Sequence, residues 1–252
     1  MPVSFTRKGR ALLPGQVSEL TVIDREAGEP RVIFTADEII EAPNWTPDGK
    51  TLIFNAGGEL WRIPADGSAE PEKIETGTVR DLNNDHVLSP DGEIIYLSNQ
   101  SDGALYSVPI AGGQPRKISN DHAEPHHYYL HGVSPDGRTL SYVAVEGPAG
   151  KKRANIFTIP AAGGPDTRIT DVDYPNDGPE YSPDGKWLYF SGEKAAKRPG
   201  HAQCFRMQLS SGGVEQLTFD DRVNWFPHVS PDGKWIVYIS YPEGTTGHPA
   251  DK

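Results

Sequence analysis

Apolar positions recur along this chain in short runs that are typical of β-strands. Leu52, Ile95, Leu140, Leu188 and Ile236 each lie five residues after a proline, and an aromatic residue or leucine follows two positions later. A period of two is typical of a strand buried on at least one face. No segment longer than a turn or two shows helical periodicity. The pattern therefore predicts an all-β protein.

A Ser/Thr-Pro-Asp-Gly phrase precedes each of these runs and predicts a tight turn. Proline sets the backbone for the second turn position, aspartate tolerates the third, and glycine takes the left-handed conformation that rejoins a strand. The phrase occupies residues 46–49, 89–92, 134–137, 182–185 and 230–233. The five aspartates are 43 to 48 residues apart, and a repeat of roughly 40–50 residues is typical of a propeller or solenoid.

Each of the four whole repeats also contains a second apolar run, a glycine turn and a short last strand. Leu60-Trp61-Arg62-Ile63 and Ile156-Phe157-Thr158-Ile159 are two examples of the second run. Four short antiparallel strands per repeat describe a propeller blade. The sequence therefore predicts one β-propeller domain over residues 1–252, built from four-stranded antiparallel blades.

The two ends of the chain are predicted to share one blade. Leu20-Thr21-Val22-Ile23 matches the third strand of a repeat, and the repeats stop after the second strand, Ile236-Val237-Tyr238-Ile239. Joining these halves would make five blades, four whole and one closed by the terminal strands. The alternative is a six-bladed propeller that lacks about one unit at the C-terminus.

Composition narrows the range of partners and compartments. The net charge of −11 repels phosphate backbones, so we expect no nucleic acid partner. A single cysteine excludes an intrachain disulfide. No stretch approaches the ~20 apolar residues of a membrane span, and the first 20 residues contain no signal-peptide pattern. We expect a cytoplasmic protein as written, or a periplasmic one if a leader was removed.

Polar segments directly before the turns are the candidate functional residues. The innermost strand of a propeller blade precedes the turn here and lines the central tunnel, where ligands commonly bind. The predicted ligand-binding rim consists of Asn44, Asn84, Asp85, His86, His131, Asp177, Glu180, Trp225 and His228. Among these, Trp225 beside Phe226 is a candidate for stacking on a sugar ring. His86, His131 and His228 are candidate ligands for Mn, Zn, Ni or Fe, and a divalent metal there could acidify a uronate C–H or polarise a water.

The register of the strands argues against the three histidines lying together at one site. His86 and His131 lie four residues before the proline, whereas Asn44, Glu180 and His228 lie three before it. One step reverses the side-chain face of a straight strand. Strict alternation therefore turns His86 and His131 towards the blade packing, unless a bulge interrupts the strand.

The repeats resemble the PD40, or WD40-like, repeat of the TolB-type propeller family, from about Ser18 to Tyr241. The Ser-Pro-Asp-Gly-Lys turn and the strand that follows it carry the resemblance. The resemblance implies a propeller, which in this family has six blades as a rule. TolB itself is a periplasmic propeller that binds partner proteins. Oligogalacturonate lyases are propellers of similar repeats with a histidine-bound metal. Two functions follow as expectations: a module that binds a protein, peptide or carbohydrate, or a metal-dependent carbohydrate lyase or hydrolase. Whether the chain is an enzyme stays open at this point.

Overall fold

The structure, a computed structural model, describes residues 12–26 and 28–246. Its regular elements in these ranges are twenty β-strands, with no helix among them. Every strand pair with a recorded register is antiparallel, as in Thr51–Ala56 against Glu59–Pro64. The all-β prediction is confirmed.

Four sheets contain four strands each, and we label them blades A to D. Blade A is β3 (Glu41–Trp45), β4 (Thr51–Ala56), β5 (Glu59–Pro64) and β6 (Glu72–Ile74). Blade B is β7 (Leu82–Leu88), β8 (Ile94–Asn99), β9 (Leu105–Pro109) and β10 (Arg116–Lys117). Blade C is β11 (His126–Val133), β12 (Thr139–Glu146), β13 (Arg153–Pro160) and β14 (Thr167–Arg168). Blade D is β15 (Asn176–Tyr181), β16 (Trp187–Gly192), β17 (Gln203–Gln208) and β18 (Val214–Gln216).

The remaining strands form two separate hairpins, so the predicted number of blades is wrong. β1 (Ser18–Ile23) pairs with β2 (Pro30–Ala36), and β19 (Val223–Val229) pairs with β20 (Ile236–Tyr241). Each pair is a two-stranded sheet. The described residues thus hold four complete blades, neither the five of the closed ring nor the six of the alternative, because each terminal hairpin contributes two strands to a sheet of its own.

The repeated turns have the predicted chemistry. In each one the Ser or Thr hydroxyl donates to the aspartate, and the glycine N–H donates to the carbonyl of the same Ser or Thr, as for Ser230, Asp232 and Gly233. The glycines take positive φ, 69° at Gly233. The Ser230 hydroxyl and the Lys234 N–H lower the pKa of Asp232 to about 2. These aspartates are committed to the turns.

Two compact units divide the described chain. The first contains residues 12–26, 28–101 and 106–116, and the second contains 102–105 and 117–246. In the first, one apolar core includes Ile53, Leu82 and Leu97. In the second, a core includes Ile156 and Phe205. The second strands of the blades are buried along almost their whole length, as in β4 from Leu52 to Ala56, so both of their faces supply core side chains.

The described ranges include no helix long and apolar enough to cross a membrane.

Candidate functional site

Every first strand of a blade, and β19, has an irregular register near its centre. The shifts fall between Glu41 and Asn44, Leu82 and His86, Leu130 and Gly132, Asp177 and Glu180, and Trp225 and His228. A bulge leaves a residue unpaired and re-aims its neighbours. Strict alternation, on which the sequence argument about the histidines rested, therefore does not apply across these strands.

Three of these bulges share a residue of positive φ followed by proline. Ala42, Gly178 and Phe226 have φ of 49°, 64° and 54°, and Pro43, Pro179 and Pro227 follow them. Proline lacks the N–H that a sheet interior requires and is confined to edges and bulges. For a bulky residue such as Phe226 the left-handed region is a genuine outlier, and such strain occurs preferentially at functional sites.

A hydrogen bond holds Phe226 in this conformation, and the lack of a side chain at Gly178 leaves room for its ring. Its N–H donates to the Ser191 hydroxyl at 2.8 Å. A Cβ on Gly178 would lie 2.8 Å from Cδ1 of Phe226, so only glycine leaves room for the ring. The half-buried Phe226 ring stacks against the His131 imidazole, with centroids 5.8 Å apart and planes at 24°.

Two carboxylates of β15 flank the bulge, and each meets a histidine of a neighbouring strand. Asp177 Oδ1 lies 3.0 Å from His131 Nε2. Glu180 Oε2 makes a short contact with His228 Nδ1. The side chains of Asp177 and Glu180 are 23 % and 24 % exposed, and that of His228 is 61 % exposed. We call His131, Asp177, Glu180, Phe226 and His228 the rim surface.

The predicted rim residues of the first unit form a different arrangement. The amide nitrogen of Asn44 lies 3.2 Å from His86 Nε2 and donates to the His86 carbonyl at 3.0 Å. Because an amide nitrogen can only donate, Nε2 accepts and the ring is neutral. Burial lowers the pKa of His86 to about 4. Asp85 is tied to Asn83 by two hydrogen bonds, and Asn84 is half-buried.

Trp225 is not available as a stacking platform. It is 4 % exposed and packs in a core with Ala202 and Val223. Its neighbour Phe226, which was not among the predicted rim residues, is the aromatic side chain at the rim surface. Proline in the strand at positions 43, 179 and 227 is the signal that marks the bulge and could have identified Phe226.

The three-histidine metal site finds no support in this geometry. In residues 12–26 and 28–246, no group of three or more His, Cys, Asp and Glu side chains is arranged to hold a metal ion. His86 is buried and neutral beside Asn44, whereas His131 and His228 contact carboxylates of β15. The divalent metal at His86, His131 and His228 stays a prediction that this geometry does not support.

Comparison with known proteins places the repeats in a family. Residues 132–248 match the family described as the TolB beta propeller domain, PD40. An uncharacterized protein of Agrobacterium fabrum is 36 % identical over 168 residues, which are 66 % of this chain and 55 % of that protein. The chain thus spans little more than half the length of this curated relative.

Several solved propeller structures are also similar to this chain. A candidate TolB from Agrobacterium tumefaciens is 36 % identical, with a TM-score of 0.80 over 90 % of this chain and 79 % of that one. TolB from Acinetobacter baumannii is 21 % identical, with a TM-score of 0.70 over 90 % of this chain and 54 % of that one. Oligogalacturonate lyase in complex with manganese is 15 % identical, with a TM-score of 0.61 over 91 % and 67 %. The last two share the fold alone.

Proposed function

Because this chain belongs to the TolB β-propeller family, we propose that it is a recognition module that binds a protein or peptide through the rim surface. The single observation that carries the proposal is the pairing of Glu180 with the exposed His228, next to the strained Phe226. An exposed carboxylate–histidine pair is worth little to stability, so its two groups are cheaply released to a partner.

Charge indicates what kind of segment would bind. The chain carries a net charge of −11, and Asp177 and Glu180 are both partly exposed on the rim surface. Lys or Arg side chains of a partner would replace the histidines as partners of these carboxylates. The ring of Phe226 offers apolar area beside them. Membership in the TolB family supports the periplasmic rather than the cytoplasmic location.

The carbohydrate-active enzyme has no specific observation in its favour. Its support is a structural relative at 15 % identity, and fold-level analogy does not transfer chemistry. A carbohydrate ligand is the second arm of the test below.

The test is a ligand screen with a matched control. The purified chain is presented to an array of basic, neutral and acidic peptides and to a glycan array, and hits are re-measured by calorimetry. We expect peptides with Lys or Arg to bind, the Glu180→Gln and Phe226→Ala variants to lose at least tenfold in affinity, and Glu215→Gln to keep it. Glu215 is an exposed carboxylate paired with Arg206 in blade D, outside the rim surface.

Two outcomes would contradict the proposal. One is binding that Glu180→Gln and Glu215→Gln weaken equally, because affinity would then follow net charge alone. The other is binding seen only on the glycan array, which would indicate that the rim surface recognises carbohydrate instead of peptide.

A further inference from the structure

Blade C contains a cluster of phenol, carboxylate and imidazole groups that the rim surface does not use. Tyr128 lies seven residues before Pro135, and the same position before the turn is Asn83, Asn176 and Asn224 in three of the other four repeats. Blade C thus replaces an amide with a phenol at a buried position. Around it lie Tyr142 of β12, Asp166 in the turn before β14, and His122 in the connection between β10 and β11. We call His122, Tyr128, Tyr142 and Asp166 the blade C cluster.

The polar atoms of the cluster converge. Tyr128 donates to Asp166 Oδ2 at 3.0 Å, and Tyr142 donates to Asp166 Oδ1 at 2.7 Å. His122 Nε2 lies 2.6 Å from the Tyr128 hydroxyl and 3.3 Å from Asp166 Oδ2. Four donor groups from two strands, a turn and a connection therefore lie within 2.6–3.3 Å of a neighbour in the set. Asn120 also donates to Asp166, at 2.7 Å.

These spacings suit a metal ion. Donor atoms bound at about 2.1 Å from one ion at right angles to each other lie about 3 Å apart. We propose that the blade C cluster binds a ferric ion through the two phenolates, the Asp166 carboxylate and His122 Nε2. His126 lies beside the cluster: its ring stacks on His122 at 3.8 Å with the planes at 13°, and its Nε2 lies 3.4 Å from the Tyr142 hydroxyl. We assign it the role of orienting the His122 ring.

The charge of the ligand set selects a trivalent ion. Two phenolates and one carboxylate carry three negative charges, which a ferric ion neutralises in a buried place where unpaired charge is costly. On ferric binding each O–H breaks, both protons leave to solvent, and no electron is transferred.

The cluster is also accessible from one side. Tyr128 and Tyr142 are fully buried, whereas the His122 side chain is 29 % exposed. An ion would enter past His122. In the described part of the chain no three His, Cys, Asp and Glu side chains form a metal site, so the phenols are indispensable to this one.

The experiment is titration of the purified chain with ferric nitrilotriacetate, followed by desalting. Iron content and the visible tyrosinate-to-iron charge-transfer absorption are measured together. We expect one ion per chain with a visible band. Tyr142→Phe and Asp166→Asn should weaken binding by at least the 10–100-fold seen when support of a metal ligand is removed. The double variant Tyr128→Phe/Tyr142→Phe, which removes both phenolates, should lose the band. Tyr96→Phe, which removes the hydroxyl of a buried tyrosine in blade B, should change neither readout.

Circular dichroism keeps the test clear of misfolding. Tyr142→Phe preserves the ring and its packing, and His122→Gln alters the exposed member of the cluster, so one variant at least is expected to fold. A wild-type chain that shows no visible band would overturn the proposal. Iron whose visible band persists in Tyr128→Phe/Tyr142→Phe would overturn it as well, because that iron would be bound by a tyrosine elsewhere on the chain.

Discussion

Two contacts between neighbouring inner strands occupy similar places in the repeat and have opposite character. In the first unit, Asn44 of β3 contacts His86 of β7, which is 3 % exposed. In the second unit, Glu180 of β15 contacts His228 of β19, whose side chain is 61 % exposed. The first is a neutral contact inside the packing, and the second is a carboxylate–histidine pair facing solvent.

The difference shows that residue type alone does not identify a functional histidine. His86 and His228 both precede a Pro-Asp-Gly turn and both contact a polar side chain of the preceding inner strand. The bulge in each strand decides which face the histidine occupies, and burial then decides its protonation. A histidine forced to remain neutral supports packing, whereas an exposed one can exchange partners.

Replacing each of the two histidines with alanine should reveal the largest difference in stability between the two contacts. His86→Ala leaves a cavity and removes the acceptor of Asn44, so we expect a loss of about 2–4 kcal/mol in the free energy of unfolding. His228→Ala should cost less than about 1 kcal/mol, because an exposed pair contributes little. Urea unfolding of both variants measures this. Equal losses would show that the two contacts are energetically alike.

Acid should destabilise the first contact. Above pH 6.5 the His86 ring is neutral in both states, and its titration does not affect stability. Between pH 6.5 and about 4 the unfolded chain takes up a proton that the folded chain refuses, since burial lowers the pKa of folded His86 to about 4. Stability should fall over this window by up to about 3 kcal/mol.

Urea midpoints of the wild type and His86→Gln, followed from pH 7 to pH 4, isolate this contribution. His126, whose pKa burial also lowers to about 4, is common to both proteins. Parallel pH profiles would mean that His86 is protonated in the folded chain.

Substitutions at two of the bulges should change stability by an intermediate amount and sharpen the comparison. Gly178→Ala places a Cβ 2.8 Å from the Phe226 ring at φ +64°, and we expect a loss of about 1–3 kcal/mol. Ala42→Gly, at the equivalent position of β3, relieves a positive φ of 49° and should change stability by at most about 1 kcal/mol. Thermal unfolding compares them. A neutral Gly178→Ala would show that Phe226 is free to move.

The smallest effect should come from the exposed carboxylate. Glu180→Gln should reduce stability by less than about 1 kcal/mol, and the difference from wild type should shrink in 1 M salt because exposed charges are screened. Melting curves at low and high salt measure it. A salt-independent loss would indicate that Glu180 is held by its hydrogen bond from Val229 N–H rather than by charge.

Local pattern was sufficient for the blade and its turns. Ser230, Asp232 and Gly233 form the turn that their types predict, since each residue's preference is met within the phrase itself. Local pattern did not predict the number of blades or the burial of Trp225. Both depend on which strands pair and which side chains pack, and residues distant in sequence determine these.

The sequence by itself determined an all-β chain of repeated antiparallel blades, because a period of two and a turn phrase are local properties. It also placed His131, Asp177, Glu180 and His228 among the polar residues before the turns. Only the tertiary structure decided that Asp177 and Glu180 would meet histidines of two different strands, that Phe226 would replace Trp225 beside them, and that Asp166 would join Tyr128 and Tyr142. These contacts span up to 95 residues, from His131 to Phe226, and they depend on bulges and interblade packing that no single repeat encodes.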